Sequence, residues 1–238
     1  MLSYEEILRV IDITTKLGVT KVRVTGGEPL TRRDVVPFLN KLSALKGLRD
    51  VGISTNGTLL SKAYPGFHNI ADALLCAGIK TVNVSLDTLD RSLYAATTGR
   101  DYFDRVIAGI DAARQAGFER IKINAVLMRG RSEEQLLPLV EFAHENDLLL
   151  RFIELMPVSV GDVLNESSFL PVAEAKRHIE QELGNLDPRQ DFRTNGPASY
   201  FKVPGRDQLV GFIGAMTNPR FCESCNKLRL TCDGKLRP

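Results

Sequence analysis

The sequence predicts a parallel α/β fold, and three observations carry that prediction. Helix-type and strand-type segments alternate five times over residues 1–155, each helix closed by a glycine or polar stop before its strand. Strand starts fall about 30 residues apart, a spacing that suits a (β/α) barrel or a doubly wound sheet. Polar, motif-like residues gather where the strands end: Thr25-Gly26-Gly27, Ser54-Thr55-Asn56-Gly57, Ser85-Leu86-Asp87, Lys122 and Asn124, then Glu154 and Met156. That edge is where parallel α/β folds build their sites.

The elements follow in order. Ser3 with Glu6 is a capping box, so a helix begins almost at the first residue. Its apolar positions Ile7, Val10, Ile11 and Leu17 keep helical spacing, and Gly18 stops it. A strand is expected at 21–25. Helix 34–45 leads to strand 50–54, and helix 70–77, ended by Gly78, leads to strand 81–86. Helix 103–116, ended by Gly117, leads to strand 120–127, and helix 132–145 leads to strand 149–155. After Pro157 the rhythm changes. Residues 158–170 read as loop, 171–183 as helix and 187–197 as polar loop. Short strands at 199–203 and 208–213 flank Pro204-Gly205-Arg206-Asp207, a hairpin signal. The expected division is a barrel core over 1–157 and a C-terminal extension over 158–238.

Composition bounds the function. The 238 residues carry a net charge of +2, which argues against a general nucleic-acid binder and leaves anion binding to local basic residues. No apolar run approaches membrane-spanning length, and the acidic opening Met1–Glu6 has no signal-peptide pattern. Four cysteines do not make a disulfide framework; the Cys222/Cys225 spacing points to metal or redox chemistry in a reducing, cytoplasmic setting.

Gly26-Gly27-Glu28-Pro29 is the most informative stretch. Two glycines let backbone approach a ligand where a Cβ would collide. Pro29 biases Glu28 away from helical geometry, so the strand should end in a rigid loop. A tight βα turn would account for the same residues. Lys122 alternates with Ile121 and Ile123; with helices outside the sheet it should point inward, where an ammonium needs an anionic partner. Asn56-Gly57 is turn chemistry, and Met156 reads as core filler more readily than as a ligand contact. Cys222-x-x-Cys225 can hold zinc or an iron–sulfur cluster, or act as a redox dithiol, and Cys232 could complete a three-thiolate set. Lys227 and Arg229 should alternate onto one face of a strand. Cys76 has no expected role.

The Gly-Gly-Glu-Pro loop, together with Phe221-Cys222-Glu223-Ser224-Cys225-Asn226-Lys227-Leu228-Arg229-Leu230, resembles the radical S-adenosylmethionine (SAM) enzymes. More narrowly, it resembles their molybdenum-cofactor branch, the GTP 3′,8-cyclases. The resemblance implies an incomplete (β/α) TIM-like barrel with a C-terminal extension. It implies two [4Fe–4S] clusters and SAM as cofactors, GTP as substrate, and 3′,8-cyclo-7,8-dihydro-GTP as product of the first step of molybdenum cofactor (molybdopterin) biosynthesis. In that pattern Gly27, Ser85 and Met156 contact SAM. Arg23, Ser54, Lys122, Lys227, Leu228 and Arg229 contact GTP. Cys222 and Cys225 bind the second cluster, and Cys232 is a bystander. Ser54 and Lys227 depart mildly from the commoner threonine and arginine. The further partners implied are a reductant, a downstream cyclic pyranopterin monophosphate synthase and a second copy of the chain as homodimer. No C-x3-C-x2-C spacing occurs in residues 1–238, and the expected third C-terminal cysteine would fall just past Pro238. The expectation is therefore a chain shortened at both ends, inactive alone. A peptide-modifying radical SAM enzyme and a zinc-binding α/β module are the alternatives.

Overall fold

A computed structural model describes residues 1–157, 167–192, 194, 196–219, 221 and 226–237. The helices among them are α1 (Tyr4–Lys16), α2 (Val35–Ser43), α3 (Ile70–Cys76), α4 (Arg91–Thr98), α5 (Phe103–Ala116), α6 (Leu136–Glu145) and α7 (Val172–Leu183). The strands are β1 (Lys21–Val24), β2 (Asp50–Thr55), β3 (Thr81–Ser85), β4 (Arg120–Leu127) and β5 (Leu149–Glu154), then β6 (Asp187–Pro188), β7 (Ser199–Lys202), β8 (Leu209–Ile213), β9 (Arg229–Leu230) and β10 (Leu236–Arg237). All five expected αβ units are present. The chain forms two compact units, one of Met1–Val84, Asp104–Ile121 and Asn226–Pro238, the other of Ser85–Phe103 and Lys122–Cys225.

In the first unit the capping box forms as the sequence predicts. Glu6 N donates to Ser3 Oγ at 3.1 Å, and Ser3 N donates to Glu6 Oε2 at 2.7 Å. Strands β1, β2 and β3 run parallel in that order, with Arg23 opposite Gly52 and Gly52 opposite Thr81. Alternation then sorts the side chains: Val51, Ile53, Val82 and Val84 share one face and are buried, while Arg23, Ser54, Thr81 and Asn83 share the other. Fully burying an aliphatic side chain stabilises by about 1.5–3 kcal/mol, so the apolar face fixes the register and thereby the polar face. Gly57 has φ +80°, and a Cβ on it would lie 2.9 Å from Val84 Cγ1. The α5 residue Gly109 sits so close that its own Cβ would stand 2.1 Å from Gly57 O. The Asn-Gly pair is thus turn chemistry, with Asn56 Oδ1 accepting from Thr58 N and Oγ1.

In the second unit the order is β4-β5-β8-β7-β6, parallel through β8 and antiparallel beyond. The expected hairpin is β7–β8, closed by Val203 N on Gln208 O with Gly205 at φ +68°. Ile123, Leu127, Phe152, Leu136 and Val140 form its core. The sequence reading passes over α4. Asp90 caps it by accepting from Leu93 N, and Gly99 ends it at φ +73°. Its one buried residue is Tyr94, so it shows no apolar stripe to read. The expected helix 132–145 begins as a short 3-10 turn, Glu133–Gln135, before α6. Of the expected loop 158–170, residues 158–166 lie outside the described residues.

Candidate active site

The Gly-Gly-Glu-Pro loop leaves β1 with Glu28 in extended geometry, φ −124° and ψ 106°, as Pro29 demands. The short 3-10 turn Pro29–Thr31 follows. The Glu28 carboxylate is committed to structure. Oε1 accepts from Leu30 N at 3.0 Å and from the Thr55 hydroxyl at 2.8 Å, and Oε2 accepts from Asn56 N at 2.7 Å. It therefore ties the loop after β1 to the end of β2. Gly26 and Gly27 behave differently. Neither has a positive φ, and a Cβ on either would meet nothing within 4 Å.

On the polar face of the same unit, Arg23 lies across Gly52. Its Nη1 donates to Ile53 O and Thr81 O, each at 3.3 Å, and Nη2 donates to Thr81 Oγ1 at 3.1 Å. One turn of the pleat further on, Asn83 Nδ2 donates to Ser54 Oγ at 3.1 Å. Asn83 is 9% exposed, and its Oδ1 is buried with no hydrogen-bond partner among the described residues.

The second unit repeats the device. Arg151 on β5 is buried and donates Nε and Nη2 to Asn124 Oδ1 at 2.9 and 2.6 Å. Gly211, opposite it on β8, has no side chain because a Cβ would stand 3.0 Å from Arg151 Cγ and 2.8 Å from Tyr200 Cε1. Burial pushes the guanidinium below its ordinary range, and Tyr200 draws it back up. Lys122 shares that face with Asn124 and Arg151 and is 3% exposed. Ser85 is exposed at the end of β3, and Met156 is half-buried two residues past β5. Asp87 accepts from Val126 N at 2.8 Å, and removal from water pushes its carboxyl up. Glu154, 1% exposed, clamps the end of β5. It accepts from Val172 N at the start of α7, from Met216 N, and from Thr217 N and Oγ1.

Near the C-terminal end Lys227, Leu228 and Arg229 are all exposed. Only Arg229 lies in a strand, β9, which pairs antiparallel with β10; Lys227 precedes it, so the expected alternation along one strand is not formed. Cys222 and Cys225 lie outside the described residues. Cys76 and Cys232 are exposed, and among the described residues no group of three His, Cys, Asp or Glu is placed to hold a metal ion. No helix of the described residues is long and apolar enough to cross a membrane.

The structure thus brings Arg23 and Ser54 to one face within the first unit, and gathers Lys122 with Asn124 and Arg151 within the second. Sequence reasoning missed Gly52, Thr81, Asn83, Arg151 and Tyr200. A signal existed for two of these clusters: Gly52 and Gly211 are lone glycines inside strands, which mark the close approach of another group.

Two family models match the chain, the Radical SAM superfamily over residues 1–143 and Molybdenum Cofactor Synthesis C over residues 148–238. The GTP 3′,8-cyclase of Thermodesulfovibrio yellowstonii is 42% identical over 238 residues, which is 100% of this chain and 71% of that protein. The GTP 3′,8-cyclase of Ectopseudomonas mendocina is 43% identical over 237 residues, 99% of this chain and 69% of that protein. Among solved structures, Streptococcus suis SuiB is 25% identical with a TM-score of 0.61, covering 76% of this chain and 39% of SuiB. TYW1 with a lysine-pyruvate adduct, 17% identical with a TM-score of 0.56, covers 86% of this chain and 69% of that one and shares the fold. The mostly parallel α/β strands of both units fit the incomplete, unclosed (β/α) barrel type expected from the sequence. The chain belongs to the radical SAM superfamily, whose members use a [4Fe–4S] cluster and SAM, and within it to the GTP 3′,8-cyclase family.

Proposed function

We propose that this chain binds SAM and GTP at the C-terminal ends of its strands and serves the conversion of GTP to 3′,8-cyclo-7,8-dihydro-GTP, the first step of molybdenum cofactor biosynthesis. The observation that carries the reading is the loop at Gly26-Gly27. Nothing in the backbone angles or in the packing of the described residues calls for glycine there. A ligand laid against the backbone does, and the methionyl part of SAM fits such a cradle. Glu28 holds the cradle in place through Leu30, Thr55 and Asn56.

When bound, SAM with its cluster supplies the one-electron chemistry that removes a hydrogen atom from the nucleotide. The described residues contribute binding and orientation. In the first unit, Gly27 is assigned to SAM, and Arg23 and Ser54 to GTP. In the second, Ser85 and Met156 are assigned to SAM, and Lys122 to GTP. Lys227, Leu228 and Arg229 are assigned to GTP, and Cys222 and Cys225 to a second [4Fe–4S] cluster. The described residues supply no three-ligand set for a cluster.

The test is calorimetric titration of the chain with GTP and separately with SAM. Lys122→Ala and Arg229→Ala should each weaken GTP, because losing a charge-assisted hydrogen bond costs roughly 1.5–3 kcal/mol, about one to two decades in affinity. SAM affinity should hold. Wild-type protein that binds SAM but not GTP would return the assignment to a peptide-modifying radical SAM enzyme.

A further inference from the structure

The buried amide of Asn83 is half used. Its Nδ2 donates to Ser54 Oγ at 3.1 Å, while Oδ1 has no partner among the described residues although Asn83 is only 9% exposed. Leaving a buried carbonyl unpaired is unfavourable, and most buried polar atoms find a partner. The neighbourhood explains what partner would suit it. Asn83 shares its strand face with Ser54 and Thr81, and Arg23 reaches across Gly52 to that same face. Arg23 can meet phosphate. A carbonyl oxygen cannot, because phosphate oxygens at neutral pH are acceptors only. Oδ1 requires a hydroxyl or an N–H. Meanwhile Ser54 Oγ, by accepting from Asn83, is left with its own proton to donate.

We propose that Asn83 is a ligand-binding residue whose Oδ1 accepts a hydrogen bond from the nucleoside part of the nucleotide, a ribose hydroxyl or a guanine N–H, while its Nδ2 orients Ser54 to donate to the same ligand. This rests on the reading that GTP occupies this face. Asn83 then discriminates the nucleoside, whereas Arg23 recognises only charge.

The experiment titrates the 238-residue chain with GTP and with inorganic tripolyphosphate, which carries the charge without the nucleoside. Asn83→Leu is nearly isosteric and apolar. It should weaken GTP about ten-fold, leave tripolyphosphate affinity unchanged, and leave the melting temperature of the ligand-free chain unchanged or higher, since an unpaired carbonyl has been removed. Unchanged GTP affinity overturns the proposal. So does an equal loss for both ligands, which marks a general disturbance of the face. Should Asn83→Leu fail to fold, Asn83→Ala is read by the same ratio of GTP to tripolyphosphate affinity. Wild-type protein that does not bind GTP overturns the GTP reading and this inference together, whereas wild-type binding with an unmoved Asn83 variant overturns this inference alone.

Discussion

The Arg23 guanidinium occupies the space that a side chain on Gly52 would need. A Cβ built on Gly52 would stand 2.2 Å from Arg23 Nη1, 2.5 Å from Cζ and 2.6 Å from Thr81 Oγ1. A strand glycine at that position therefore fixes how a cation on the neighbouring strand is held. The relationship makes a prediction about both residues. Gly52→Ala should drive Arg23 off Thr81 and lower stability by about 1–2 kcal/mol, roughly 2–8 °C in melting temperature. In an Arg23→Ala background the same substitution should cost clearly less, because the two effects share one cause. Additive costs in the double-mutant cycle would show that Gly52 does not act through Arg23.

Glu154 gives a second prediction. Its carboxylate collects three backbone N–H groups and one hydroxyl from α7 and from the segment after β8. Glu154→Ala removes the acceptor these part-buried hydrogen bonds share, and urea denaturation should report a loss of about 1–3 kcal/mol. Glu154→Gln should cost less, since one acceptor oxygen survives. Equal stability of wild type and the alanine variant would remove the clamp.

The Asn124–Arg151 pair gives a third. Asn124→Ala removes the Oδ1 that accepts twice from a buried guanidinium, and should cost about 1–3 kcal/mol by thermal or chemical denaturation. Arg151→Met, which keeps the packing and removes the charge, should be milder than the asparagine truncation. The reverse order would mean that the guanidinium has another dominant partner.

Asp87 sets a fourth prediction, in pH. Desolvation raises its carboxyl above the ordinary value of 3.8, with the Val126 N–H pulling the other way. In the window from 3.8 upward to the raised folded value, the native state binds more protons than the unfolded chain, so this group makes stability fall as pH rises. Glu141 and Glu174 act oppositely. Hydrogen bonds from Arg206 and Arg129 hold them low, and their contribution is lost as pH falls below the ordinary glutamate range. Subtracting the stability profile of Asp87→Asn from that of wild type isolates Asp87. The difference should decline as pH climbs through that window; a flat or rising difference would assign the pH response to other groups.

Much of the molecule was legible one segment at a time. The capping box at Ser3, the glycine stops, the five αβ units, the β7–β8 hairpin and the extended Glu28 before Pro29 all depend on residues close in sequence, where periodicity and backbone sterics act. The Gly-Gly-Glu-Pro loop, which carries the family resemblance, is also a local pattern. Helix α4 escaped because a helix that buries only Tyr94 leaves no stripe to read.

What only the tertiary structure decided is which polar groups meet. That Arg23 crosses Gly52 to Thr81, that Asn83 holds Ser54 with one amide atom left over, and that Arg151 closes on Asn124 beside Gly211 follow from cross-strand register. Register is set by burying Val51, Ile53 and Val82 within the first unit and Ile123 and Phe152 within the second, long-range packing outcomes that no single segment encodes. The sequence by itself determined the elements and the loop that marks the family; the collective burial of their apolar faces determined how the polar faces are paired.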